Sequence, residues 1–294
     1  MHAAVVCHES DAEALALFVA LRAQDAAKFR EIRWSLVHNG GDESWERLKS
    51  GFEREFPGSV NATLARIANR GYGAALNGAF AGSVAPALLG LNSDLLPGPG
   101  FLAELLEQAR AIADEKSRIG IVGLALEDED GKPQGSFGPA PTLTNLVLGL
   151  RKPPAARKYS LPAGAPAQDV DWVTGANILM NAACYRELGG FDERFFMYYE
   201  DADLCRRAKA LGWRTRFVPK APLRHLHPFH ERGLSASMAK LSRPSLVRYF
   251  RRHRPWWEYR AALALVRFEC RKCGAAWNGV REAIEATVAE LERG

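Results

Sequence analysis

Three carboxylates lie close together at the predicted start of a helix. Glu200, Asp201 and Asp203 occupy three of four consecutive positions, directly after the aromatic run 195–199. Acidic side chains are favoured in the first turn of a helix by the helix dipole, so the cluster could serve only to stabilise the helix. An apolar environment, however, makes a carboxylate more basic. The cluster is therefore also a candidate for a general base.

A fourth carboxylate follows a buried apolar run further upstream. Asp94 ends the segment Asn92-Ser93-Asp94 and is followed by Pro97. Such a carboxylate can hold Mg²⁺ or Mn²⁺ against a diphosphate, because these cations prefer oxygen ligands and often bind one or two carboxylates plus phosphate oxygens. The segment also suits an Asx turn that leads into a helix. Both interpretations stay open at this level.

The elements that must position these carboxylates alternate between strands and helices. This order predicts an α/β fold with a mainly parallel central sheet and helices on both faces. Ligands of such sheets bind beyond the carboxyl ends of the strands. The predicted strands span 3–7, 34–37, 61–65, 87–91 and 118–126, and the predicted helices span 11–23, 73–81 and 100–115.

Polar residues follow three of these strands and are expected to meet on one rim of the sheet. They lie at 8–9, 38–42 and 92–94. The proline-rich residues 131–168 predict an irregular excursion over that rim. Helical periodicity dominates after residue 230. We therefore expect a catalytic domain over 1–230 and a helical region over 231–294.

Composition limits the class of protein. The chain has 294 residues, of which 47% are hydrophobic and 25% charged, enough for a large core. It has no apolar run of 18 residues and no basic segment before an apolar one at its start, so we expect neither a spanning helix nor a signal peptide. Five scattered cysteines suit a reducing, cytoplasmic location.

In their order and spacing, the motifs of residues 3–255 resemble those of glycosyltransferase family 2, in particular its rhamnosyltransferase-like branch. Pro219 followed by His225 also fits this pattern. The motifs that carry the resemblance are residues 5–10, Asn69-Arg70-Gly71-Tyr72-Gly73 with Asn77-Gly78, Asn92-Ser93-Asp94, Gly175-Ala176, residues 189–193 and Glu200-Asp201 with Asp203-Leu204-Cys205.

The resemblance implies a GT-A nucleotide-diphospho-sugar transferase fold and specific roles for single residues. Asp201 would be the catalytic base, and Asp94 would bind Mg²⁺ or Mn²⁺, with His225 near the metal or the diphosphate. We also expect Trp172, Gly175, Ala176 and Glu200 to bind the acceptor, with a packing role as the alternative for Trp172. The implied donor-binding residues are Cys7, His8, Glu9, His38, Asn39, Asn69, Gly73, Asn92, Ser93 and Asp94.

The expected reaction is inverting, metal-dependent transfer of a sugar from a nucleotide-diphosphate donor to an acceptor hydroxyl. A dTDP-rhamnose or UDP-sugar donor and a saccharide or lipid-linked acceptor fit this expectation, in the assembly of cell-surface polysaccharide or glycolipid. The QxxRW motif of processive synthases does not follow residue 201, so one addition per encounter is expected.

The chain departs from the family pattern at the ends of its first two strands. His38 stands where the family usually has an aspartate that accepts a hydrogen bond from the nucleobase. A neutral imidazole can accept through one ring nitrogen but carries no fixed negative charge. We expect His38 to contact the donor base or ribose and to influence which nucleotide is preferred; the alternative is a surface or packing histidine.

Other functions account for fewer of these residues. A nucleotidyltransferase normally has a glycine-rich basic loop after its first strand, and residues 7–11 are not one. A catalytically silent scaffold that binds sugar nucleotides, and a transferase that acts on a small soluble acceptor, remain alternatives. His225, His227 and His230 could suggest zinc, but no matched cysteines or HExxH motif accompany them.

The C-terminal region holds most of the positive charge. Residues 240–273 contain ten basic and two acidic side chains, whereas the whole chain has a net charge of +5. We expect this region to lie peripherally on the inner, anionic face of the cell membrane, with Leu263, Val266 and Phe268 as an apolar face. A structural appendage or a homodimer contact is the alternative. Nucleic acid is not expected as a partner, because it would leave the acidic motifs unexplained.

Overall fold

The structure, a computed structural model, describes residues 1–150, 157–162, 164–226 and 235–293. Within these residues the chain forms a large twisted sheet covered by helices on both faces. The strands are β1 His2–Cys7, β2 Arg33–His38, β3 Ala62–Arg66, β4 Ala87–Asn92, β5 Leu95–Pro97, β6 Ile119–Glu127, β7 Pro133–Gln134, β8 Phe137–Gly138, β9 Gln168–Val170, β10 Trp172–Val173, β11 Asn177–Asn181 and β12 Arg214–His225.

Helices connect most of these strands and also form the C-terminal region. Every helix and strand predicted from the sequence is present, with its ends shifted by no more than two residues. The helices are α1 Asp11–Gln24, α2 Ala26–Arg30, α3 Asp42–Glu55, α4 Tyr72–Phe80, α5 Phe101–Ala113, α6 Leu143–Leu150, α7 Ala182–Leu188, α8 Glu200–Ala210, α9 Ala236–His253, α10 Trp256–Cys273 and α11 Asn278–Arg293.

The sheet has the strand order β3-β2-β1-β4-β11-β6-β12-β5. Its first four strands are parallel, and β1 is buried along its whole length between two hydrophobic clusters, as expected for a sheet covered on both faces. Beyond β4 the sheet is mixed, because β11 runs antiparallel to both β4 and β6. The α/β class with helices on both faces is confirmed.

The proline-rich excursion is more ordered than the sequence predicted. It contains β7, β8 and the helix α6 in the sequence Leu-Thr-Asn-Leu-Val-Leu-Gly-Leu. Leu143 and Leu146 of α6 pack on the hydrophobic cluster of the C-terminal helices. This surface comes from residues about a hundred positions away, so local composition could not reveal it.

The C-terminal helices pack on the part of the chain that carries the acidic cluster. Phe195 and Ala202 belong to the same buried cluster as α9, α10 and α11, and the Ser245 hydroxyl donates to the Met197 carbonyl at 2.8 Å. The predicted domain boundary at 230–231 lies outside the described residues. None of the described helices is both long and apolar enough to cross a membrane.

Two expectations about the basic region need correction. Leu263 and Val266 are buried in the core of the helices and do not form an outer apolar face. The second correction concerns the charge that was expected to face the membrane: five of the ten basic side chains are instead held in ion pairs. These pairs are Arg243–Glu269, Arg248–Glu290, Arg252–Asp192, Arg254–Glu258 and Arg267–Glu285.

Candidate active site

The ends of the parallel strands bring three polar residues together. In register, Cys7 lies beside His38 and Val6 beside Asn92, so β1, β2 and β4 end at the same edge. Beyond that edge His8 Nδ1 lies 3.3 Å from the Asn39 carbonyl and 3.5 Å from Asn69 Nδ2. Asn39 Oδ1 is buried and has no hydrogen-bond partner among the described residues. This rim offers donors and acceptors of the kind that hold a nucleoside.

His38 does not face this rim. Its side chain is fully buried; Nδ1 accepts the N–H of Gly40 at 3.3 Å, and Nε2 lies 3.1 Å from the Ser44 hydroxyl. Burial lowers the pKa of His38, which keeps the ring neutral. Both ring nitrogens are thus engaged within the protein. The expectation that His38 contacts the donor base does not fit this geometry.

Three other predicted donor-binding residues have structural contacts instead. The thiol of Cys7 is buried and accepts from the Ser10 hydroxyl at 3.6 Å. The Glu9 carboxylate accepts the N–H of Gly41 and so ties the two loops together. At Gly73 a Cβ atom would lie 2.7 Å from Cβ of Phe191, so the glycine allows close packing.

Asp94 and His225 meet on the other side of the β4 end. The antiparallel pairing of β12 with β5 sets His225 opposite Leu95. His225 Nε2 then lies 3.3 Å from Asp94 Oδ2, and Nδ1 lies 3.2 Å from Gln134 Oε1. When Nδ1 donates to Gln134, the Nε2 lone pair faces the carboxylate, and two facing acceptors suit a cation.

The donor set at this point is small. Across the described ranges no group of three or more His, Cys, Asp or Glu side chains is arranged to hold a metal. One carboxylate and one imidazole fit a Mg²⁺ or Mn²⁺ ion whose other ligands are phosphate oxygens and water. Ser93 is bonded to Ser10 at 2.6 Å, and the N–H of Asn92 donates to the Ala176 carbonyl at 2.9 Å. These bonds fix the loop that carries Asp94.

Asp201 is held by two backbone groups. The N–H of Gly175 donates to Oδ2 at 3.0 Å, and the N–H of Ala202 donates to Oδ1 at 2.8 Å. A carboxylate has about four acceptor sites, so two remain for an incoming hydroxyl. Burial raises the pKa of Asp201, while the charge of Lys158 and the two N–H bonds oppose that shift. The result is a fixed and moderately basic carboxylate.

Glu200 differs from its neighbour. Its side chain is buried, and Oε2 has no hydrogen-bond partner among the described residues. Burial, and after it the adjacent charge of Asp201, raise the pKa of Glu200 to about 8. The raised pKa favours the protonated carboxyl, which can donate a hydrogen bond. Two adjacent carboxyls with different environments can have different roles.

Two residues of this site were given no site role in the sequence analysis, although Tyr72 lies in one of its motifs. The Tyr72 hydroxyl donates to the Gly175 carbonyl at 2.6 Å, and so holds the residue whose N–H binds Asp201. Lys158 Nζ lies 5.4 Å from the ring centroid of Trp172. Burial lowers the pKa of Lys158, whereas the charges of Asp201 and Glu200 raise it. Lys158 belongs to no recognisable motif, and only the packing of the excursion brings it here.

Trp172 itself is rigidly placed. Its indole Nε1 donates to the Pro139 carbonyl at 2.8 Å, and the ring is half-buried. A Cβ at Gly138 would lie 2.8 Å from that ring. At Gly175 a Cβ would lie 3.3 Å from Cε1 of Tyr72 and 3.7 Å from Cβ of Asp201. Because residue 175 is glycine, no side chain occupies the small space between Tyr72 and the Asp201 carboxylate.

The two residues directly before α8, which carries the acidic cluster, have a left-handed backbone conformation. Tyr198 and Tyr199 have φ of +67° and +66°, a conformation that costs about 1–3 kcal/mol at a functional site. Gly71, with φ of +102°, packs against the backbone of Phe196, where no other residue has room. Asn77 accepts the N–H of Phe191 at 2.9 Å. These contacts account for the glycine-rich motifs near 71 and 190.

Asp203 has a structural role. It is fully buried, and its carboxylate bonds Arg207 Nε at 2.7 Å and His253 Nε2 at 2.7 Å, with Arg252 Nη1 3.5 Å away. It thus joins α8 to α9. The three acids of the cluster therefore differ: Asp201 is a fixed candidate base, Glu200 is a buried carboxyl with a raised pKa, and Asp203 joins two helices.

Comparison with known proteins identifies the family to which this chain is similar. The family model described as glycosyltransferase-like family 2 matches residues 2–245. The chain is 31% identical over 210 residues to the N-acetylglucosaminyl-diphospho-decaprenol L-rhamnosyltransferase of Mycobacterium tuberculosis, covering 65% of this chain and 67% of that protein. It is 33% identical over 114 residues to the rhamnosyltransferase WbbL of Escherichia coli K12, covering 38% of this chain and 41% of that one.

Solved structures share the fold at low sequence identity. A structure of GalNAc-T7 with UDP, GalNAc and Mn²⁺ superposes with a TM-score of 0.61 at 16% identity, covering 88% of this chain and 49% of that one. The mannosyltransferase PcManGT of Pyrobaculum calidifontis, in complex with GDP-Man and Mn²⁺, gives a TM-score of 0.54 at 15% identity, covering 98% and 74%. These likenesses confirm the GT-A fold.

Proposed function

The chain belongs to the glycosyltransferase-like family 2 and is an enzyme that transfers sugars, and on this basis we propose that it transfers rhamnose from a nucleoside-diphosphate donor to a hydroxyl of a lipid-linked saccharide. The observation that carries the proposal is the pair of N–H bonds that fixes Asp201 beside Gly175. Two relatives named as rhamnosyltransferases support the sugar, and the acceptor in the name of one of them supports a lipid diphosphate.

We propose a single displacement with inversion. The acceptor oxygen forms a bond to the anomeric carbon while the bond from that carbon to the donor phosphate oxygen breaks, and the electron pair leaves with the nucleoside diphosphate. Asp201 takes the acceptor proton. A positioned base contributes about 10²–10⁴-fold to the rate, and the raised pKa of Asp201 makes it a stronger base than an exposed aspartate.

On the donor side, Asp94 and His225 would hold a divalent cation. When bound, the cation supplies positive charge beside the leaving diphosphate. His8, Asn39 and Asn69 would receive the nucleoside, in place of the buried His38.

On the acceptor side, Glu200 would donate a hydrogen bond to a sugar hydroxyl, because burial and the charge of Asp201 raise its pKa and favour the protonated carboxyl. Lys158 Nζ lies over the ring of Trp172, so a sugar could stack only on the part of the ring that Lys158 leaves uncovered. Gly175 and Ala176 would line the path to Asp201 with backbone.

Product formation with defined substrates tests the proposal. Radiolabelled dTDP-rhamnose, UDP-glucose, UDP-N-acetylglucosamine and GDP-mannose are each offered with N-acetylglucosaminyl-diphospho-polyprenol, with Mn²⁺ or with EDTA. We expect transfer from dTDP-rhamnose alone, lost in EDTA, with inverted configuration in the product. Transfer from a UDP-sugar would show that the donor is that UDP-sugar and not dTDP-rhamnose. Metal-dependent donor binding without transfer to any acceptor would favour a catalytically silent protein.

A further inference from the structure

The outward face of α10 combines large aromatic rings with cations. We propose that this face rests on an anionic membrane and holds the enzyme at its surface. We call it the aromatic–cationic face; it consists of Trp256, Trp257, Arg260, Phe268, Arg271 and Lys272.

The six residues lie on one side of the helix. At 3.6 residues per turn they fall within a sector of roughly 160°. The exposed fraction is 73% for Trp256, 52% for Trp257 and 63% for Phe268, although large aromatic side chains usually bury most of their surface. The opposite side of α10 is buried against α9 and α11 through Ala262, Val266 and Cys270. The exposed rings are therefore not needed by the core.

The unpaired charges on this face have one sign; Arg267 lies in the same sector but is paired with Glu285. Arg260, Arg271 and Lys272 are exposed and form no ion pair within the described ranges. The two acids of the helix lie outside the sector and are bound to Arg254 and Arg243. On the neighbouring helix, Glu292 lines the groove beside Arg260.

These features match the physical chemistry of a membrane interface. Indole rings favour the headgroup region, and cations are attracted to anionic lipids. The helix α6 packs beside α10 and exposes Val147 and Leu148, which adds apolar surface from the same excursion that carries Lys158. The choice of a membrane rests on the proposed function, because a lipid-linked acceptor is reached at a surface.

A second copy of the chain is a poorer occupant. In a twofold contact the face would meet itself, so that three unpaired cations would oppose three others. The surface also differs from the basic set expected from the sequence. Arg248, Arg252 and Arg254 hold the helices together through ion pairs, and replacing them would damage the fold.

Vesicle sedimentation of the full chain tests the proposal. The vesicles contain phosphatidylcholine alone or equal parts phosphatidylcholine and phosphatidylglycerol, with neither donor nor acceptor present. We expect binding to the anionic vesicles that weakens with salt. Replacing Arg260, Arg271 and Lys272 with Gln should weaken it on the order of 100-fold, since each cation near an anionic surface contributes about fivefold. Replacing Trp256 and Trp257 with Ser should weaken it about tenfold even at low salt.

Matched variants change similar residues elsewhere. Arg30→Gln, Lys49→Gln and Arg186→Gln remove three exposed cations, and Val60→Ser with Val84→Ser removes two exposed apolar side chains. We expect both sets to bind vesicles as the unmodified chain does. If they lower binding as much as the face variants, the attraction is only general and the proposal fails.

Further measurements distinguish a membrane-binding face from an RNA-binding or dimer-forming one. Equal sedimentation with and without phosphatidylglycerol would overturn the proposal, as would tight single-stranded RNA binding that the same variants abolish, or a dimer that they dissociate. The face variants should retain transfer to a short water-soluble acceptor and lose it to the vesicle-embedded one. If the protein binds vesicles but transfers no sugar to either acceptor, the membrane-binding face is supported and the proposed reaction is refuted.

Discussion

Replacing Asp201 with Asn should abolish sugar transfer while leaving donor binding nearly unchanged. The amide keeps the size of the side chain and removes its basicity, and losing a positioned base costs about 10²–10⁴-fold in turnover. The donor-side groups lie on other elements: Asp94 is in the loop after β4, and His225 is the last residue of β12. The substitution at position 201 therefore does not alter them.

The structure also sets a stability cost for this variant. Both Asp201 oxygens accept a backbone N–H, from Gly175 and from Ala202. An Asn side chain has one acceptor oxygen, so its NH₂ group must face one of these donors. Losing that bond and leaving its N–H unpaired costs about 1–3 kcal/mol. We expect the midpoint of thermal unfolding to fall by a few degrees and the protein to stay folded.

The assay combines single-turnover transfer with calorimetric titration of the nucleoside diphosphate in Mn²⁺. Asp128→Asn is the matched control, because this aspartate also accepts two backbone N–H groups, those of Asp130 and Lys132, but both at Oδ1, which the amide keeps. The control should transfer at the wild-type rate. Turnover above about a tenth of wild type in Asp201→Asn would be too high for a lost base and would refute the assignment.

Three further predictions follow from the same geometry. Asp94→Asn and His225→Gln should each weaken nucleoside-diphosphate binding in Mn²⁺ but not in EDTA, and calorimetry that finds equal losses in both conditions would remove the metal from the mechanism. His38→Asp should lower the midpoint of thermal unfolding, because the ring is buried between Ser44 and Gly40. It should not change the order of preference among uridine, thymidine and guanosine diphosphates. A changed order would mean that His38 does contact the nucleotide. The positive charge of Lys158 lowers the pKa of Asp201, and a base acts only when deprotonated, so Lys158→Met should move the acidic limb of the kcat/KM profile to higher pH, whereas Lys158→Arg should leave it in place. An unmoved limb in the Met variant would mean that Lys158 does not influence the base.

Local sequence was sufficient to place five strands and three helices in order and to identify the acidic motifs, although the helix α3 was not predicted. Apolar runs of period two and amphipathic stretches are local properties, so the ends of β1, β2, β4 and α5 could be placed within two residues. The motifs around Asp94 and Asp201 were also visible, because each is a short run of chemically distinctive residues at a strand or helix end.

Which of the named residues can reach a ligand depended instead on the tertiary structure. His38 and Asn39 are neighbours at one strand end, yet the pleat turns His38 into the protein and leaves Asn39 Oδ1 without a partner among the described residues. Lys158 approaches Asp201 only because the excursion folds back over the sheet. In the C-terminal region, the fold separated the arginines that pair with carboxylates from the exposed cations of α10, a division that net charge alone does not contain. The positions of Lys158 and of the paired arginines depend on contacts between residues distant in the sequence, which neither periodicity nor composition records. The orientation of His38 depends on which face of β2 is covered by the rest of the fold.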